Sequence, residues 1–444
     1  MKKKEYDLKS DNMDIVSEPL MDSIFPSDIN QNDDMLRVLS LFSGCGGMDI
    51  GLEGGFVCNS LSVPTKENIE IDLGKGWVKL KNTRMQTVFA CDILPEARIA
   101  WMNYMYSKNG ILPRYHLESV VELVNRHKKG QNIFPKNIDI VTGGFPCQDF
   151  SVAGKRKGFK SQVTHDGKRV EDINNENLSR GKLYTWMKEV IEITSPKVFI
   201  AENVKGLISL GDVKKIIQND FASAGEEGYF VFEPQILNAA DYGVPETRER
   251  VIFIGVKKNA LRPEVRSIIE RNEDIPDFLN PYPKPSHSYQ KLGKNNFIVK
   301  CEDVLGFLPE PENSSDPSHH FYSKAKYLGN GTQGQTEINM GGVGPTIRAE
   351  HHGNIEFRRL SQENGGKNIE ELKAGLIQRR LSPRECALIQ TFPPDYKFVI
   401  YKPNGKGFAV SPSMAYKIIG NAVPPMLAYN IAKRLEDVWD KYFC

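Results

Sequence analysis

The chain has 444 residues, 40% of them hydrophobic and 26% charged, and its 58 Lys and Arg against 56 Asp and Glu leave a formal net charge of +2. That length allows two or three domains with sizeable cores, and the near balance of charge excludes a uniformly basic or acidic chain, so any surface for a charged polymer must come from local clustering. The seven cysteines are odd in number and widely spaced with no Cys-x-x-Cys pair, which argues against a disulfide scaffold and against a zinc site. A reducing, cytoplasmic setting fits them. The expectation is no metal, no membrane span of roughly eighteen or more apolar residues, and a polar, flexible leader over residues 1–34.

In chain order, "LRVLSLF" (Leu36 to Phe42) reads as a buried strand that runs into the glycine cluster "SGCGGMDIGLEGGF". "TVFACD" (Thr87 to Asp92) is a second strand, and "ILPEARIAWMNYM" opens a helix with Pro95 in its first turn. "IDIVTGG" (Ile138 to Gly144) is a third strand. "GKLYTWMKEVIEI" then sets Leu183, Met187, Val190 and Ile191 on one helical face, and "PKVFIAENV" (Pro196 to Val204) and "RVIFIGVKK" read as strands. Short apolar strands separated by helical text predict an α/β fold, a mostly parallel sheet with helices on both faces. Residues 261–379 are rich in Pro, Gly, Asn and Ser and predict a smaller, loop-rich domain, after which regular helical text returns over 380–444, with Pro412 at a helix start.

Ligand sites in such sheets lie at the carboxyl ends of the strands. Phe42, Asp92, Cys147 and Glu202 all fall within a few residues of such ends. "FSGCGG" after the first strand is a tight turn whose backbone N–H groups can approach a ligand, and an acid at the next strand end suits a pair of ribose hydroxyls, so together they suggest an adenosine-containing cofactor. No Walker lysine follows, which disfavours a nucleotide phosphate. Cys147, behind "TGGFP" and before Gln148, is the candidate nucleophile, because a thiolate is the strongest nucleophile among side chains once its pKa falls or its target is activated. The loop beyond Ser151 carries Lys155, Arg156, Lys157, Lys160, Lys168 and Arg169 against Asp166 alone across 155–169, a cluster suited to a phosphate backbone. Glu202 in "AENV" is placed to hold or hand over a proton, and Arg248 and Arg250 in "ETRERV" stand two apart as anion-contacting donors. Each of these residues has an ordinary structural reading when taken alone. What distinguishes them is their shared position at strand ends.

"FSGCGG" at 42–47, "GFPCQ" at 144–148, "ENV" at 202–204, "RER" at 248–250, "LSPRECALIQTFP" at 381–393 and "IGNAVPP" at 419–425 resemble, in order and spacing, the signature motifs of the cytosine-5 DNA methyltransferases. The resemblance covers 36–256 and 376–435. It implies a Rossmann-like methyltransferase domain over 35–260 that binds S-adenosyl-L-methionine, a target-recognition domain over 261–379, and a segment over 380–444 that returns to complete the first domain. By the resemblance, Phe42, Gly44, Gly46, Gly47, Asp92, Ile93, Gly144, Pro146, Gly181, Leu183, Asn421 and Ala422 line the cofactor site. Cys147 is the nucleophile, Glu202 contacts the cytosine ring nitrogen and amine, Arg250 approaches the base and Arg248 the nearby phosphates. Gln148, Ser151, Lys155, Arg156, Lys157, Arg348 and Arg358 are the expected DNA contacts, the last two from "TIRAEHHGNIEFRR".

The chain departs from the family pattern in three places. A segment between Phe56 and Thr87 is extra and reads as an edge hairpin, Glu246 stands where glutamine is commonest, and the acid for the cofactor's adenine has Glu118 as its best candidate. The implied reaction is methyl transfer from S-adenosyl-L-methionine to C5 of a flipped cytosine in a specific duplex sequence, through a covalent bond from Cys147 to C6. The implied setting is a monomeric enzyme of a restriction-modification system, paired with a cognate endonuclease. Two alternatives stand beside it: the same chemistry on a transfer RNA, and a DNA-binding protein whose methyltransferase core is inactive.

Overall fold

The first apolar run becomes the middle of the molecule. The computed structural model describes residues 34–109, 114–146, 183–209, 211–271, 274–289, 296–329, 331–349 and 354–443. Eight strands form the main sheet: β1 (Leu36–Leu41), β2 (Met85–Cys91), β3 (Arg114–His116), β4 (Ile140–Gly144), β5 (Val198–Val204), β6 (Tyr229–Val231), β7 (Gln235–Asn238) and β8 (Glu249–Lys257). Their order is β7-β8-β5-β4-β1-β2-β3, with β6 also on β8. β1 to β5 run parallel, whereas β8 is antiparallel to β5 and to its other two neighbours.

Alternation along these strands explains why both faces are covered. Val38, Ile140, Val198 and Val256 stand in one register row and are fully buried on one face; Leu39, Val141 and Phe199 do the same on the other. The first face packs against α1 (Gly47–Glu53), α2 (Pro95–Asn109) and, from the far end of the chain, α9 (Pro425–Tyr442). The second face packs against α3 (Val120–Lys128), α4 (Leu183–Thr194) and α5 (Val213–Ala222). In α4 the side chains of Leu183, Met187, Val190 and Ile191 are buried, as their spacing requires, and Tyr184 is buried with them.

β1 is followed by β2 on one side of the sheet, and the chain then crosses to β4 on the other side. That reversal opens a crevice at the carboxyl ends of β1 and β4.

Beyond β8, α6 (Pro263–Arg271) precedes a stretch with only short elements, including a five-residue helix at Cys301–Leu305. Regular structure resumes with α7 (Pro383–Ile389), opened by a reciprocal Ser382 and Glu385 capping box, and α8 (Pro412–Asn421), capped by Ser411. The extra segment after Phe56 is a three-stranded antiparallel sheet, Val57–Asn59, Ile69–Gly74 and Trp77–Leu80, rather than a hairpin. Among the described residues no helix is long and apolar enough to cross a membrane.

One buried acid sits under the crevice. Asp49 accepts hydrogen bonds from Ser40 Oγ at 2.7 Å and Trp101 Nε1 at 2.6 Å, and burial pushes its carboxyl from 3.8 up to about 6. An acid with a raised folded-state pKa contributes most below its unfolded pKa, and that contribution is lost as pH rises through the folded value. Asp49→Asn should therefore gain on the wild type by roughly 2 kcal/mol between pH 4 and pH 6. Denaturant titrations of both proteins across that interval check this, and a constant difference between them would contradict it.

Candidate active site

β1 ends in a turn that glycine and one strained residue make possible. Phe42 takes φ +53 and Gly44 φ +53, the left-handed region that side chains with a Cβ seldom adopt. The turn is locked from β2, because Ser43 N donates to Cys91 O at 2.9 Å and Cys91 N donates to Ser43 Oγ at 3.1 Å. Asp92, the next residue, accepts from Gly44 N and Leu94 N, both at 3.0 Å. Burial raises its carboxyl, and the N–H groups of Leu94, Gly44 and Ile93 and the Lys417 charge oppose that rise. Each carboxylate oxygen keeps a lone pair after these bonds.

The crevice is a cavity of about 310 Å³, within the range of small-molecule sites. Phe42, Gly44 and Gly47 line it from the first turn, Asp92 and Ile93 from the second strand end, Gly144 and Pro146 from the third, and Leu183 from the start of α4. Asn421 and Ala422 close it from the end of α8, and Glu202 of β5, Arg248 just before β8 and Arg250 of β8 reach its wall. Seven separate stretches of sequence thus meet at one point.

Glu202 and Arg250 form the charged corner. Arg250 Nε lies 2.7 Å from Glu202 Oε1, with only 12% and 11% of the two side chains exposed. The carboxylate fits because the facing residue in register is Gly144, where a Cβ would come within 2.9 Å of Glu202 Oε2. Asn203, pointing the opposite way, donates to Phe145 O at 3.1 Å and so ties β5 to the strand end before Pro146. Cys147 is the next residue. It lies outside the described residues, as do Gln148, Ser151, Lys155, Arg156, Lys157 and Gly181.

Four expectations need correction. Arg248 does not face a phosphate: its side chain is 1% exposed and donates to Ile347 O and Gly420 O, both at 2.8 Å. Burial and the neighbouring Arg250 lower its pKa to about 10, which leaves it charged at neutral pH beside the buried Glu246 at 3.5 Å. Gly46 does not line the cavity; it is required because a Cβ there would meet the Trp101 ring at 2.5 Å. Arg358 is 9% exposed and bonded to Glu371 at 2.7 Å, inside an ion-pair cluster with Arg359, Arg379, Glu310 and Glu385. Arg348 is a brace, held by Gln333 Oε1, Asn354 O and Glu356 Oε1. Arginines so paired internally are not free donors for a nucleic acid.

The sequence reading missed Asn203, Thr142 and Lys417. Lys417 lines the cavity and stands four residues before Asn421 on α8, so helical spacing alone puts the two on one face. Thr142 Oγ1 is buried in the cavity wall without a partner, which marks the wall as built for a polar ligand. Glu118 also lines the cavity, its carboxylate held by Arg126 at 2.6 Å.

A doubly covered parallel sheet, a switch-point cavity with a glycine turn and a strand-end acid, and an unpartnered polar atom in its wall define a nucleoside-binding α/β enzyme of the S-adenosylmethionine-dependent methyltransferase type. A family model described as C-5 cytosine-specific DNA methylase matches residues 36–437, and the chain belongs to that family. The Type II methyltransferase M.BsuRI of Bacillus subtilis is 30% identical over 449 residues, covering 95% of this chain and 87% of that protein. M.BspRI of Lysinibacillus sphaericus is 31% identical over 428 residues, covering 92% and 83%. The solved Dnmt2 methyltransferase of S. pombe has TM-score 0.52 at 15% identity, covering 90% of this chain and 98% of that one, a likeness of fold. The protein is a DNA (cytosine-5-)-methyltransferase with S-adenosyl-L-methionine as methyl donor.

Proposed function

We propose that the enzyme methylates one cytosine in a defined duplex sequence through a transient bond between Cys147 Sγ and C6 of the base, and that it protects host DNA from a cognate restriction endonuclease. The observation that carries this reading is the Glu202 and Arg250 pair, which lines the same cavity as Pro146, the residue that precedes Cys147 in the sequence. The other described thiols support it by contrast. Cys45, Cys58, Cys91, Cys301 and Cys386 are all buried, and burial pushes every one of them up, Cys301 to about 12, so none is a nucleophile at neutral pH.

The bound cofactor supplies an electrophilic methyl group on a sulfonium. In the proposed site Asp92 holds the ribose hydroxyls, Phe42 and Ile93 the apolar faces, and Gly44 and Gly144 leave room. Cytosine C5 is a poor nucleophile until the thiolate adds at C6. Glu202 stabilises the proton that N3 gains in that addition, and Arg250 fixes Glu202 in place. Electron density then reaches C5, the methyl group is taken there, the C5 proton leaves to a base, and the thiolate departs. Since C6 is stacked inside a duplex, the base has to be flipped out. We assign residues 261–379 to reading the target, with Gln148, Ser151, Lys155, Arg156 and Lys157 as further DNA contacts by charge and position. A soluble, cytoplasmic monomer is the form proposed.

Bisulfite sequencing of DNA from cells expressing the protein should show one methylated sequence context; random or absent methylation would overturn the reading. Glu202→Gln should lower kcat by about 10²–10⁴-fold while DNA affinity changes only a few-fold. Single-turnover rates beside equilibrium binding measure the two separately.

A further inference from the structure

The extra three-stranded sheet after Phe56 is rooted in the catalytic core at one end. Gly55 N donates to Lys81 O at 3.1 Å and Leu80 N to Phe56 O at 3.0 Å, and the Phe56 ring stands edge-on to Tyr429 of α9 at 6.1 Å. Its other end touches four separate points of the chain beyond β7. Ser62 O lies where a Cβ on Gly243 would be, 2.2 Å away, so only glycine fits that turn. His287 Nε2 bonds Leu61 O at 2.9 Å, which fixes Nε2 as the protonated nitrogen and leaves Nδ1 to accept from Ser286 Oγ at 2.9 Å. Asn296 Nδ2 donates to both Val63 O and Pro64 O at 3.1 Å. Asn59, 8% exposed, donates from Nδ2 to Asp303 O at 2.8 Å, and the Trp77 ring meets Phe307 edge-on at 5.0 Å.

The last two contacts hold the helix Cys301–Leu305 at its middle residue and just past its carboxyl end, and that helix connects onward. Cys301 N donates to Gly342 O at 2.8 Å and Glu302 N to Met340 O at 2.9 Å. From there Gly344 N donates to Pro245 O and Thr247 N to Gly344 O, both at 2.9 Å, and Arg248 bonds Ile347 O. A continuous series of bonds thus runs from the extra sheet through 301–305 and 340–347 to the start of β8, which carries Arg250.

We propose that the extra sheet is a positioning brace, with Asn59 and Trp77 as its working residues, which orients the segment 286–349 over the catalytic strand and thereby sets DNA affinity and sequence discrimination without acting on the cofactor. This rests on the reading of 261–379 as the DNA-reading region. Removing one buried hydrogen bond and one aromatic contact is worth about tenfold.

Four variants of the full-length enzyme test it. Asn59→Ala with Trp77→Ala should raise KM for target duplex about tenfold and narrow the ratio of kcat/KM between target and single-mismatch duplexes about tenfold, with S-adenosyl-L-methionine Kd within about twofold. Asn59→Ser keeps an acceptor for Leu61 N and loses the reach to Asp303 O without adding a charge; it should give a smaller shift of the same kind, so the test survives misfolding of the double variant. Trp77→Phe should restore KM. Unmoved KM and discrimination, or an equal loss of cofactor affinity, would overturn the brace. Lys324→Ala with Lys326→Ala, on the exposed side of the same region, separates the two readings. If these raise KM and the brace variants do not, the brace alone is refuted; if neither does, the DNA-reading assignment falls and the brace with it.

Discussion

Replacing Cys147 with serine is expected to reduce methyl transfer by about four orders of magnitude or more while leaving binding to target duplex within a few-fold of wild type. The reasoning is chemical. An alkoxide is far harder to form than a thiolate at neutral pH, and without addition at C6 nothing makes C5 nucleophilic. None of the five described cysteines can substitute, since all are buried and burial holds them protonated. A duplex carrying 5-fluorocytosine at the target gives the complementary result: with no removable C5 proton, the wild-type enzyme and cofactor should form a covalent complex, seen as a shifted band on a denaturing gel. Cys147→Ser should form none. A serine variant that turns over at near wild-type rate, or a wild-type enzyme never trapped, would remove the proposed mechanism.

The second large effect is on stability. Arg248→Ala should destabilise the fold by about 3–5 kcal/mol, because the loss leaves three buried groups unanswered: the Glu246 carboxylate and the carbonyls of Ile347 and Gly420. Glu246 Oε1 also accepts from Ile347 N, so the pair ties β8, the 344–348 segment and the end of α8 into one knot. Arg248→Lys should recover less than half of the loss, since an ammonium cannot reach both carbonyls in the forked geometry of guanidinium. Urea denaturation reads the difference directly. If Arg248→Ala were as stable as wild type and merely bound DNA more weakly, the arginine would be a phosphate contact after all.

The cavity beneath these residues shows how unevenly sequence reports on a site. Gly44, Asp92, Gly144 and Glu202 were recognisable because each interrupts or ends an apolar strand pattern at a position where sheets of this class place their ligands. Lys417 and Asn203 carry no such interruption. A lysine on a helix and an asparagine inside a strand are common, and only the effect of the Lys417 charge on Asp92 and the bond from Asn203 to Phe145 O give them meaning. The arginines misled for a related reason. "IEFRR" and "TIRAE" look like exposed basic text, but Glu371, Glu310 and Glu356, separated from them by between 8 and 49 positions, consume the charge in the fold.

Strand period, glycine turns, capping signals and the strand-end acids are local properties, and from them the sequence alone determined the doubly covered sheet and the place of the crevice. Only the tertiary structure decided the antiparallel direction of β8, the burial of Arg248 and Arg358, and the bracing contacts of the extra sheet. Strand direction depends on how the intervening chain returns, and a charge is buried or exposed according to partners far away in sequence. Neither is written in the few residues on either side.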